Sequence, residues 1–194
     1  MSNEGGKIIT GNAYLNPTSI TGAGGTQLFP ESRAIYFNPG LNLEIEREGR
    51  RNRVVRNPDG VATLMLPLRG GDAETIKMLQ RAFTDDGLGM APFGAGSVKP
   101  YDDMPSSRIL IVPDDAASAA GAGWREYVFF CAAQLHPDTG SMIVWAPGEQ
   151  HVPEDCILIA SEPADLTPGK RPWLRKTAAE IVAEYGSGLN SFTT

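Results

Sequence analysis

Side chains that carry chemistry are scarce in this chain. His136 and His151 are its only histidines, so any role for imidazole as base or metal ligand rests on these two. Cys131 and Cys156 are its only cysteines, and each lies inside an apolar run, residues 128–135 and 156–160. The expectation is two buried free thiols in a reducing compartment, with a disulfide across neighbouring strands as the alternative. Aromatic residues make up 8% of the chain, which leaves no aromatic-plus-basic surface for stacking nucleic-acid bases. No segment approaches the roughly 18 apolar residues of a membrane span. The first six residues, Met1-Ser2-Asn3-Glu4-Gly5-Gly6, lack the basic start and apolar run of a signal peptide. Synthesis in the cytoplasm without a membrane anchor is the expectation.

What the chain has in quantity is turn formers and a packable core. Its 22 glycines and 15 prolines exceed average usage and favour short strands and many turns over long helices. Hydrophobic residues at 41% and charged residues at 21% fit a packed protein, and 194 residues suit one main core with appendages. The net charge of −6 is uneven: residues 1–71 carry eight basic and six acidic side chains, 72–166 five and fifteen, and 167–194 four and two. An acidic middle between basic ends suits contacts between copies, although unrelated surface loops would give the same totals.

Residues 1–32 are rich in Gly, Asn, Thr, Ser and Pro and read as an extended N-terminal arm. Strand signals begin at Arg33. Ala34 to Phe37 is β-favourable, and Leu41 to Arg47 alternates apolar and polar as a half-buried strand does. Arg53 to Arg56 returns from a polar tip, Asn57-Pro58-Asp59-Gly60 is a turn, and Val61 to Leu66 completes a meander. Asp72 caps a helix over 72–83 whose Ile76, Leu79 and Phe83 share a face. After a Gly/Pro-rich connection, Arg108 to Val112 is apolar on both faces and so is expected to be central. Tyr127 to Leu135 is a buried strand, Met142 to Trp145 pairs back on it, and Cys156 to Ala160 is the last strand. Pro172 opens a C-terminal helix with a Leu174, Ala178, Ile181, Val182 and Tyr185 stripe, stopped by Gly186. The fold class is therefore α+β and β-rich: an antiparallel β-sandwich or barrel over 33–166 with one flanking helix, plus the C-terminal helix within 167–194 and the N-terminal arm.

Each candidate catalytic or ligand motif has a plainer reading. Asp138-Thr139-Gly140 spells the aspartic-protease triplet, but follows His136-Pro137 and suits a hairpin turn. His136 with Ser141, and His151 with Glu154 and Asp155, have no spacing that fixes a nucleophile pair or a metal site. The doublets Asp85-Asp86, Asp102-Asp103 and Asp114-Asp115 do not match a calcium loop, and Gly22-Ala23-Gly24-Gly25-Thr26 lacks a P-loop lysine. No catalytic residue, metal or cofactor is assigned, and the chain reads as not an enzyme. The strongest charge feature is Arg47, Arg50, Arg51, Arg53 and Arg56 on one hairpin. These are candidates for a subunit interface, with a solvated hairpin and phosphate contact as the other readings.

The alternating meander, the segment Gly60-Val61-Ala62-Thr63-Leu64-Met65-Leu66-Pro67 and the helix from Asp72 to Phe83, followed by further strands, resemble the tail tube proteins of long-tailed bacteriophages. The resemblance spans roughly residues 33–160 and lies in element order rather than in motifs. It implies a barrel or sandwich closed into hexameric rings that stack into a hollow tube of the virion. Copies of the chain and other tail proteins would be its partners, and DNA would pass without specific binding. The C-terminal helix and Gly-rich arm depart from the simplest form of that family. Another head–tail component (a tail terminator, connector or capsid-associated protein) and a small β-rich hydrolase are the alternatives.

Overall fold

The computed structural model describes residues 7–40, 42–48, 51–57, 61–67, 106–114, 126–136, 144–146, 149–151, 155–160 and 170–189. The helix expected over 72–83 lies outside the described residues.

Six strands close into an antiparallel barrel. β1 (Lys7–Leu15) pairs with β3 (Arg33–Asn38), and β3 with β6 (Thr63–Pro67). β6 pairs with β11 (Asp155–Ala160), β11 with β8 (Tyr127–Leu135), β8 with β7 (Ser107–Pro113), and β7 returns to β1. Two further strands lie outside this ring: β2 (Thr26–Gln27) on β1 and β12 (Trp173–Lys176) on β8. β4 (Asn42–Glu48) and β5 (Arg51–Asn57) form a separate two-stranded sheet, as do β9 (Val144–Ala146) and β10 (Glu149–His151). One described helix, α1 (Ala178–Tyr185), flanks the barrel.

Strand periodicity explains the closure, because alternate residues point to one interior. Ile35 and Phe37, Leu64 and Leu66, and Ile109 and Ile111 are all fully buried there. Phe37 sits edge-on to Phe130 at 6.2 Å and to Trp173 at 5.2 Å, separations at which aromatic rings attract beyond their simple burial. β7 and β8 are apolar on both faces because a second layer covers their outer side. Leu110, Phe129, Cys131 and Leu174 pack there beneath Ile181 and Tyr185 of α1. The expected central position of residues 108–112 thus has a cause, one face in the barrel and the other under the helix.

Four expectations differ from the structure. Residues 7–15 are not part of an arm but a central barrel strand. Ile9, Gly11, Ala13 and Leu15 take the inward positions, and two of these side chains are too small to display the period of two. A Cβ on Gly11 would lie 2.2 Å from the Val112 carbonyl oxygen, so only glycine permits this approach of β1 to β7. The strands from Arg33 onward are not a simple meander either, since β3 pairs with β6 and the β4–β5 hairpin branches off between them. β9 pairs with β10 rather than back on β8. Finally, Pro172 does not open a helix: residues 173–176 form β12, so β11 is not the last strand. α1 starts at Thr177, whose side chain accepts from the Glu180 N–H while Glu180 reaches back to the Thr177 backbone. Gly186, at φ 78°, ends the helix as expected.

Candidate functional site

A cavity of about 400 Å³ opens on the outer surface of the barrel. Three chain segments meet at it. Asn12 and Tyr14 come from the outward positions of β1, Ser32 from the residue before β3, and Asp114 from the residue after β7. Register dictates this meeting, because Gly11 lies opposite both Arg33 and Pro113. The Ser32 hydroxyl donates to the Asp114 carboxylate and ties the two ends together across β1. Tyr127, the first residue of β8, and Thr21, from the loop after β1, complete the wall. Tyr14 is held from behind by that loop, since a Cβ on Gly22 (φ 84°) would strike its ring at 2.6 Å.

The cavity carries one carboxylate, one amide and four hydroxyls, those of Tyr14, Thr21, Ser32 and Tyr127. Asn12 Oδ1 is buried and has no hydrogen-bond partner among the described residues, while Asp114 brings a carboxylate. A carboxylate that accepts one hydroxyl keeps lone pairs for further donors. The described lining residues include no cation. The described arginines of β3 and β7 are engaged elsewhere. Arg33 lies over the Phe29 ring at 5.0 Å and donates to the Pro67 carbonyl, and Arg108 donates to the Leu189 carbonyl at 3.1 Å. Burial lowers the pKa of Arg108, the direction that desolvation of a cation requires.

A second groove, about 530 Å³, runs along β12 and includes Arg171, Trp173, Arg175 and Lys176. Its cations are matched by carboxylates: Arg175 with Glu126 at 2.9 Å, Lys176 with Glu180 at 3.2 Å, and Arg171 with Glu184 at 3.9 Å. An anion entering this groove would have to compete with those carboxylates, so basic residues here do not amount to an anion site.

The arginine hairpin is divided by its register. Arg47, Arg51, Arg53 and Arg56 lie on β4 and β5, and Arg50 falls outside the described residues. Arg51 is opposite Glu48 and Arg53 is opposite Glu46, on the face that also holds Glu44. The other face combines Leu43, Ile45 and Val54 with Arg47, Asn52 and Arg56, and holds no acidic residue. The cluster that looks uniform in sequence is therefore divided by register, Arg51 and Arg53 sharing a face with glutamates and Arg47 and Arg56 sharing one with apolar residues.

Most of the remaining sequence motifs fall outside the described residues. Asp138-Thr139-Gly140, Ser141, Glu154, Asp115, Asp85-Asp86 and Asp102-Asp103 lie outside the described residues. The His136 backbone N–H donates to the Ile157 carbonyl at 2.9 Å, part of the strand network. The Gly22 to Gly25 turn leads into β2 and not into a helix, as a phosphate loop would require. Among the described residues, no three His, Cys, Asp or Glu side chains gather as metal ligands, and no helix is long and apolar enough to cross a membrane. Cys131 and Cys156 are buried thiols outside any disulfide, and burial pushes the pKa of Cys156 up to about 12. Sequence reasoning missed the cavity, because Asn12, Ser32 and Asp114 are brought together only by strand pairing. Comparison with protein-family models, curated proteins and solved structures gives no match.

Proposed function

We propose that this chain is a structural subunit that assembles with copies of itself, as a ring-forming component of a phage tail tube does. The observation that carries the reading is the β4–β5 hairpin. It leaves the barrel between β3 and β6 and, among the described residues, pairs with no barrel strand, and register puts Leu43, Ile45 and Val54 on one face with Arg47 and Arg56. A two-stranded ribbon is marginal in water unless its apolar face finds a surface. A neighbouring subunit provides one, and the acidic middle of the chain, fifteen acidic against five basic residues over 72–166, complements the arginines. A ribbon that docks head-to-tail on the next copy closes a ring when the rotation closes. The chain's net charge of −6 suits a conduit that passes DNA without holding it.

The test is the oligomeric state of the purified chain, by light scattering after size exclusion and by negative-stain electron microscopy. Rings or tubes are the expected result. A monodisperse species of 20.8 kDa, the chain mass, at every concentration reached would overturn the reading.

A further inference from the structure

We propose that the cavity at Asn12 and Asp114 is an arginine socket, which receives the side chain of Arg47 or Arg56 from the β4–β5 hairpin of a second copy. The inference rests on the self-assembly reading and deepens it, by naming what the hairpin binds. The cavity requires a donor. Asn12 Oδ1 is a buried acceptor that no described residue satisfies, and native proteins pair such atoms. Asp114 adds a carboxylate whose only described donor is the Ser32 hydroxyl. A guanidinium presents up to five N–H donors in one plane and so can serve an amide oxygen and a carboxylate together, which a hydroxyl cannot. Tyr14 and Tyr127 supply aromatic walls of the kind over which guanidinium groups settle, as Arg33 does over Phe29 in this same chain. A volume of about 400 Å³ lies at the small end of the range of about 300–1,000 Å³ that proteins use for ligands.

Register selects the arginine. Arg51 and Arg53 each take a register position opposite a glutamate, Glu48 and Glu46, where opposite charges favour each other. Arg47 takes the register position opposite Asn52 and Arg56 that opposite Leu43, on the face shared with Ile45 and Val54. Docking that face on the outer wall of a neighbouring barrel would bury Leu43, Ile45 and Val54 and bring a guanidinium to the socket.

The experiment measures subunit association of the full chain by sedimentation, across a dilution series. Asp114→Asn preserves shape at a surface position, and Asn12→Leu removes the orphan acceptor; circular dichroism and melting temperature verify that each folds. Asp114→Asn and either Arg47→Ala or Arg56→Ala should each weaken association about tenfold or more, and the double variant should be little weaker than the worse single. Asn12→Leu should weaken it in the same direction. Arg51→Ala and Arg53→Ala should combine multiplicatively with Asp114→Asn. If the parent assembles but Arg47→Ala and Arg56→Ala both multiply with Asp114→Asn, the socket is wrong and self-assembly stands. If Arg125→Ala, two residues before Tyr127, is instead the variant that couples to Asp114→Asn, the socket is filled from within the chain and the proposal is overturned. If the parent remains a monomer throughout, the assembly reading and the socket fall together.

Discussion

Gly40 is where the ribbon departs from the barrel, and Gly40→Ala measures how tightly that neck is built. The residue is buried at φ 65°, a region that L side chains seldom occupy, and its N–H donates to Asn38 Oδ1 at 2.9 Å. A Cβ would sit 2.3 Å from the Val61 carbonyl oxygen and 2.8 Å from the Val61 nitrogen. Both are backbone atoms beside β6, so the clash cannot be relieved by turning a side chain. The positive φ costs about 1–2 kcal/mol and overpacking about 1–3 kcal/mol, for a total of roughly 2–5 kcal/mol. Urea unfolding followed by tryptophan fluorescence should show a lower midpoint at an unchanged slope. Gly186→Ala is the control: it shares a positive φ of 78° but has nothing within 4 Å of its Cβ position, so it loses only the backbone term. A Gly40→Ala loss below about 1 kcal/mol, or no larger than that of Gly186→Ala, would refute the packed neck.

Thr177→Ala removes the α1 cap and should cost about 0.5–2 kcal/mol in the same unfolding assay. Its partner Glu180 has a carboxyl pKa held below the ordinary 4.5, first by the Thr177 hydroxyl, then by the Thr177 N–H and Lys176. A folded pKa below the unfolded one means that this contribution is complete above pH 4.5 and fades as pH falls through the depressed value. The melting-temperature gap between the parent and Glu180→Gln should therefore narrow on acidification, and a gap constant with pH would contradict the capping role. Cys156 should resist alkylation in the native state at about pH 8, since burial both shields the thiol and holds it protonated, and should label fully in denaturant. Native labelling at the denatured rate, read by peptide mass spectrometry, would show that the barrel interior is open.

Strands were legible where large apolar side chains take alternate positions, as Ile35 and Phe37 do in β3 and Leu64 and Leu66 in β6. β1 was not, because Gly11 and Ala13 occupy inward positions and a contrast in residue size cannot reveal alternation there. The C-terminal segment misled for another reason. Leu174 of β12 lies seven residues before Ile181, so a strand residue fell into phase with the helical stripe. The available signal was the Thr177-x-x-Glu180 capping box, which marks the true start. The arginine cluster was visible in the sequence, but its division into two faces depends on the pairing of Arg53 with Glu46 and Arg51 with Glu48. The cavity was invisible for a deeper reason: Ser32 and Asp114 stand 82 residues apart, and no local pattern foretells which distant strands share a neighbour.

Closure of the barrel bears on where association can occur. A closed sheet uses up its strand edges, so pairing between molecules must use what lies outside the ring. β12 is one such strand, pairing with β8, and it is rich in charge. Arg175 and Lys176 are bound to Glu126 and Glu180, and another chain pairing beside them would disturb those ion pairs. Charged edge strands of this kind discourage sheet extension. The β4–β5 ribbon is built in the opposite way, with carboxylates gathered on one face and an apolar, cationic stripe on the other. Both elements are basic by composition, and only register and ion pairing tell them apart. On the self-assembly proposal, that difference makes the ribbon rather than β12 the element to vary when contact between copies is tested.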